Sequence, residues 1–343
     1  GPEHEPVFFG RSRSRNEVRE ILARQVERGS AFVLVMGASG SGKSSLVKAG
    51  VLPQLLEGGM VGQVALVRHA FTRPGAASDP IAALSAALLE QTSLPELSAP
   101  PLEYTGEQLA RLLRGAPGEA AQPIRQGLSA AGRAARLTER GEARLLLVVD
   151  QLEELFTVEG ITPESRERFV AALQALVSSG LVWVIATMRS DFFDRLEHVP
   201  VLATLAAGEA KYLLTPPNGS EIGQIIRQPA REAGLRFEVD EKTGQSLDSA
   251  SLPLLEYLLD QLWHRRTEIG LLTQAAYHDL GGLEGAIGGR AEAVLASQPA
   301  EVQAALPRLL RALVTVRPGA RAAATTRHAS LNQFKADGPE RRL

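Results

Sequence analysis

Residues 37–44 read Gly37-Ala38-Ser39-Gly40-Ser41-Gly42-Lys43-Ser44, a run whose composition and spacing suit it to holding phosphate. Glycines and small residues let the backbone curl until the N–H groups around Ser39, Gly40, Ser41 and Gly42 face inward at anionic oxygens. Lys43 adds a positive charge for the β- and γ-phosphates, and the Ser44 hydroxyl offers a ligand to Mg2+. Ser45 follows at the start of a helix-forming stretch, where the helix dipole favours an anion. A buried apolar run leads directly into Gly37, which is the context such a loop requires.

A phosphate loop of this kind needs a second strand ending in a carboxylate. Leu145-Leu146-Leu147-Val148-Val149-Asp150 supplies one, and Asp150 is expected on the metal side, acting through a water. Glu153 and Glu154 follow closely. Either can orient and deprotonate an attacking water if the chain turns back after Asp150; Glu154 is the preferred base of the two. Arg189 closes a further apolar run and stands where a cation would register a third phosphate. The competing reading pairs Arg189 with Asp191 or Asp194 at the surface.

Positioning these groups requires strand ends gathered along one edge. Five runs read as strands covered on both faces: 31–36, 64–68, 144–149, 181–188 and, more weakly, 211–215. Helical patterns separate them at 43–56, 80–91, 122–140 and 163–178, with a Pro- and Gly-rich insertion between 93 and 123 carrying a short helix near 106–114. Strands alternating with helices predict an α/β fold, a parallel sheet with helices on both faces. Beyond about 216 the strands are expected to stop and helices to take over at 218–232, 243–249, 253–266, 285–296 and 299–314. The predicted order is a lead-in segment 1–30, a nucleotide-binding domain 31–217, a helical domain 218–298 and a partial winged-helix domain 299–343.

The bulk numbers exclude several alternatives. Among 343 residues there is no cysteine, so disulfides, thiolate metal sites and cysteine nucleophiles are out. A formal net charge of −2 gives no overall pull toward nucleic acid or anionic lipid. The arginines between Arg11 and Arg19 and between Arg133 and Arg144 read as solvated faces. No run approaches the roughly 18–20 apolar residues that cross a bilayer. A cytoplasmic location with neither membrane nor nucleic-acid partner is expected.

Taken in order, Phe8-Phe9-Gly10-Arg11, GASGSGKSSLVKAGVLPQL, LLLVVDQLEELF, ATMRSDFFDRL and SLPLLEYLLDQLW resemble the novel STAND NTPases of bacteria. These are P-loop signal-transduction ATPases related to NACHT and NB-ARC switches. The resemblance implies ATP or ADP with Mg2+ as ligands, and it places Gly10 and Arg11 by the base and ribose with Phe8 and Phe9 packed nearby. It also implies that Pro253 presses on the adenine and that Arg189 is the first sensor arginine. Ser12 stands where the family often has an acid. In related switches a winged-helix histidine meets the ADP β-phosphate, and His328 is the local candidate. The implied function is a slow ATPase switch, closed with ADP and self-associating with ATP, serving sensor and effector domains outside this chain in defence or cell death. The alternatives are an AAA-type motor and a nucleotide-dependent scaffold that hydrolyses nothing.

Overall fold

A computed structural model describes residues 8–62, 64–137, 141–232, 234, 236–237, 252–316, 324–326, 333–335 and 338–341. Its first helix, α1 (Ser12–Glu27), lies inside the expected lead-in segment. Strand β1 (Phe32–Gly37) then enters the phosphate loop. The helix expected over 43–56 is interrupted: α2 (Lys43–Ser45) widens into a π-helical turn at Leu46–Val51 before α3 (Leu52–Leu56). Strand β2 (Val64–Thr72) runs four residues beyond its predicted end, which carries Thr72 and Arg73 to the sheet edge.

The insertion folds into α4 (Pro80–Leu88), α5 (Gly106–Gly115) and α6 (Ala121–Ala134). Local chemistry fixes their starts. Asp79 caps α4 by accepting from the Ile81 N–H, and Thr105 with Gln108 forms a reciprocal capping box on α5. α6 stops short of the predicted residue 140, with Arg136 in the left-handed region. Strand β3 (Glu142–Val149), α7 (Glu154–Thr157), α8 (Pro163–Ser178), β4 (Val182–Arg189), α9 (Pro200–Leu205), β5 (Lys211–Leu213) and α10 (Gly219–Glu232) complete the series.

The five strands form one parallel sheet in the order β2-β3-β4-β1-β5. Their side chains alternate between two cores, as doubly covered strands must. Phe32, Leu34, Leu145, Leu147, Val184 and Ala186 pack with α4, α5, α6 and α8. Val33, Val35, Leu146, Val148, Trp183 and Ile185 pack with α1 and the helix after the loop. Each fully buried aliphatic side chain contributes about 1.5–3 kcal/mol. The consequence for the site is positional: β4 lies between β1 and β3, so the ends of the loop strand, the acid strand and the Arg189 strand fall side by side.

Two compact units divide the chain, residues 1–234 with 245–252, and residues 235–244 with 253–343. The first thus takes in α10, which the sequence pattern places in a helical domain from residue 218. The physical reason is local: Ile222 and Ile226 are buried, and Glu221 reaches Arg11 at 4.0 Å. The second unit contains α11 (Leu252–His264) from its second residue on, with α12 (Gln274–Asp279), α13 (Gly282–Ala296), α14 (Ala300–Gln303) and α15 (Leu306–Leu313). Strands do not stop at 216. Arg236–Phe237 pairs in parallel with Leu271–Leu272, and Val314–Val316 pairs antiparallel with Ala324–Thr326. The helix expected at 243–249 lies outside the described residues. No helix among the described residues is long and apolar enough to cross a membrane.

Gly10 shows how tightly the N-terminal segment is fitted. Its φ is +72°, and a Cβ there would stand 3.0 Å from Ile225 Cγ1 and 3.2 Å from the Glu221 carbonyl oxygen of α10. Gly10→Ala is expected to lower stability by about 1–3 kcal/mol, read from the denaturant midpoint; an unchanged midpoint would contradict this packing.

Candidate active site

The loop residues adopt the backbone that their composition predicts. Gly40 and Gly42 take φ of +70° and +88°, open to glycine at no steric cost. Gly37 has no room for a side chain, since a Cβ would come within 2.8 Å of both the Leu214 carbonyl oxygen and Ser41 Oγ. That Ser41 hydroxyl is buried with no hydrogen-bond partner, a polar group that a ligand oxygen in the loop would satisfy. Lys43 is buried, and its Nζ donates to the carbonyls of Gly37 at 3.0 Å and Ala38 at 2.7 Å. Burial pulls its pKa down, with the charge of Glu153 the leading opposing influence.

Asp150 sits at the C-terminal edge of β3, buried, with both carboxylate oxygens engaged. Oδ1 accepts from Ser44 Oγ at 2.6 Å and Thr187 Oγ1 at 2.7 Å, and Oδ2 accepts from Lys48 Nζ at 2.6 Å. Its own N–H donates to the Thr72 carbonyl at 2.9 Å. The next residue, Gln151, turns with a φ of +56° and donates its N–H to Thr187 Oγ1 at 3.0 Å. Burial alone would push the Asp150 carboxyl up, but the hydrogen bonds from Lys48, Ser44 and Thr187 outweigh it and hold it below the usual range. A depressed carboxyl stabilises the fold above the unfolded-chain value and loses that contribution as pH falls through the folded value.

The two glutamates diverge. Glu153 is buried and its Oε2 accepts from the Arg189 N–H at 3.3 Å. Burial pushes its carboxyl up, against hydrogen bonds from backbone N–H groups and the charges of Lys43 and Arg189. Glu154 turns the other way, bonding to the Arg73 guanidinium and accepting from the Gly75 N–H at 2.9 Å. Both of its oxygens are committed at the end of β2, so the geometry brings Glu153, not the preferred Glu154, toward Lys43.

Arg189 is paired with Gly37 in the register of β1 and β4, so it stands beside the root of the loop. Its guanidinium makes two bonds to Asp191, 3.0 Å from Nε and 2.6 Å from Nη2, as the competing surface reading expects. Arg11 is buried at the head of α1, contrary to the solvated reading. It donates to the Thr215 carbonyl at 2.7 Å and the Ser41 carbonyl at 3.3 Å. Phe8 packs so closely on Gly50 that a Cβ there would stand 2.7 Å from its ring; Phe9 is half-buried. Pro253 falls in the first turn of α11, in the second unit. His328 lies outside the described residues.

Sequence reasoning missed Lys48, Thr187 and Arg73. Two of them left a signal. Lys48 is four residues beyond Ser44, one helical turn on the same face, and Thr187 is the lone polar side chain in the apolar run Val182–Met188. Thr187→Val should strip one bond from Asp150 and one from Gln151, costing about 1.5–3 kcal/mol and shifting the acid-induced unfolding midpoint upward. A variant as acid-resistant as the parent would contradict the assignment.

The model of the family Novel STAND NTPase 1 matches residues 1–343. The chain belongs to that family. This STAND NTPase is therefore a nucleotide-binding P-loop NTPase, as the loop geometry requires. No curated protein matches it. Among solved structures it is similar to the ORC2 protein of Aeropyrum pernix in ADPNP-ADP complexes, with 14% identity, 88% of this chain and 73% of that one covered, and a TM-score of 0.50. It is also similar to Aeropyrum pernix ORC1 in complex with DNA, at 16% identity, 90% and 74% coverage and a TM-score of 0.49. A third is a Walker-type ATPase of Pyrococcus abyssi, at 16% identity, 89% and 79% coverage and a TM-score of 0.49. At 14% identity the likeness to ORC2 speaks for the fold of the STAND NTPase alone.

Proposed function

We propose that the protein is an ATP-binding molecular switch that hydrolyses slowly, closed with ADP and self-associating with ATP, in a signalling protein whose sensor and effector parts lie outside this chain. The observation that carries the reading is the convergence of Lys43, the Ser44–Asp150 pair and Glu153 on three adjacent strand ends. Hard oxygen donors at Ser44 and Asp150 suit Mg2+, which when bound would neutralise charge on the phosphate oxygens. The loop N–H groups and Lys43 hold the polyphosphate, and Glu153, buried with a raised proton affinity, takes the proton of the attacking water. Arg189 is proposed to leave Asp191 for the third phosphate. Gly10 and Arg11 are assigned to the base and ribose, and Pro253 is assigned to the adenine by resemblance.

A switch also needs the loop to be linked to a part that moves. Arg11 bonds the loop at Ser41 while facing Glu221 of α10, and this pair is the proposed link between loop occupancy and α10. A role in antiphage defence or cell death follows from the resemblance. The test is to identify the nucleotide that travels with the purified chain, then exchange it for ATP and measure mass by light scattering. Bound ADP and a larger particle with ATP are expected. Turnover of tens per second at unchanged mass would favour a motor and overturn the switch.

A further inference from the structure

Lys48 carries a charge that the phosphate chemistry above does not use. It stands on the π-helical turn Leu46–Val51, its ammonium 5.5 Å over the Phe71 ring and 2.6 Å from Asp150 Oδ2. The Lys48 side chain is 29% exposed and that of Asp150 only 6%, so the ammonium is the more accessible partner of a buried carboxylate. With Ser44 and Thr187 already on Oδ1, three of the roughly four acceptor directions of the carboxylate are filled by protein donors. A divalent cation approaching Asp150 without an accompanying anion meets a fixed positive charge and few free lone pairs. Arg73 offers no substitute for Lys48, because Glu154 holds it.

We propose that Lys48 is a tethered counter-ion that keeps divalent cations off Asp150 until a nucleoside polyphosphate arrives, so that metal and nucleotide enter together; this rests on the proposed metal-side role of Asp150 and Ser44. The incoming polyphosphate gives the ammonium another anion to face, and a four-carbon stem lets it move. Lys48 is thus a positioning residue, setting the order of binding without touching the reacting atoms. Free nucleotide-bound metal is accepted; metal alone is refused.

Lys48→Met keeps the stem over Phe71 and removes the charge. Titration of nucleotide-free protein with Mn2+, followed by the loss of the free-ion electron paramagnetic resonance signal, is expected to show a site at least about tenfold tighter in this variant than in the parent. Lys48→Arg should behave as the parent, and Lys48→Gln serves if the methionine variant does not fold. Adding Asp150→Asn to the methionine variant should abolish the gained site. Lys48→Met or Lys48→Gln, folded and no tighter for Mn2+ than the parent, overturns the counter-ion. A gained site that survives Asp150→Asn would instead overturn the metal-side reading of Asp150 on which it stands.

Discussion

Glu153→Gln is expected to slow phosphate release by roughly 10²–10⁴-fold while nucleotide affinity stays near that of the parent. The carboxylate is buried beside the Arg189 N–H, under the influence of Lys43, and the glutamine oxygen can keep the bond from Arg189 but cannot accept the water's proton. The same substitution should raise the melting temperature at neutral pH. Because burial raises the Glu153 carboxyl in the fold, its ionisation costs stability, beginning as pH climbs past the unfolded-chain value and complete above the raised folded value. Glutamine removes that cost, so the two proteins should differ at neutral pH and converge in acid. Glu154→Gln should do the reverse: it frees Arg73 and weakens the bond from Gly75, costing about 1 kcal/mol with little change in hydrolysis. Single-turnover phosphate release and melting curves on both variants separate the two acids. A silent Glu154→Gln enzyme beside an active Glu153→Gln one would return the base to Glu154.

The parts of this site that were readable in the sequence are those fixed by backbone need. The loop shows in its glycines because glycine takes the left-handed conformations at 40 and 42 without steric cost, and Asp150 shows because one acid closes an otherwise apolar strand. The sheet was readable for the same reason: strands buried on both faces tolerate almost no polar residue. The choice between Glu153 and Glu154 was not readable. It depends on Arg73 and Gly75, which reach the site only because β2 extends to Thr72 beside Asp150. The burial of Arg11 was not readable, because charge counts cannot see that the carbonyls of Thr215 and Ser41 wait for a buried guanidinium. The π-helical turn at Leu46–Val51 had no visible mark, and α10 joined the first unit through contacts with Gly10 and Arg11 that are distant in sequence.

Lys43→Ala should lose most of the affinity for ATP. Lys43 Nζ is held over the loop by the carbonyls of Gly37 and Ala38, the only described side-chain cation bonded to loop backbone besides Arg11. Its charge-assisted bonds to polyphosphate oxygens are worth about 2–4 kcal/mol, roughly 30- to 1,000-fold in affinity. Lys43 belongs to neither hydrophobic core, so the variant should fold as the parent does. Calorimetric titration of ATP into the two proteins, matched by circular dichroism, is the most direct measurement. A parent that binds and an alanine variant weakened by that factor is the expected result; equal affinity would mean that the loop at residues 37–44 does not hold the nucleotide.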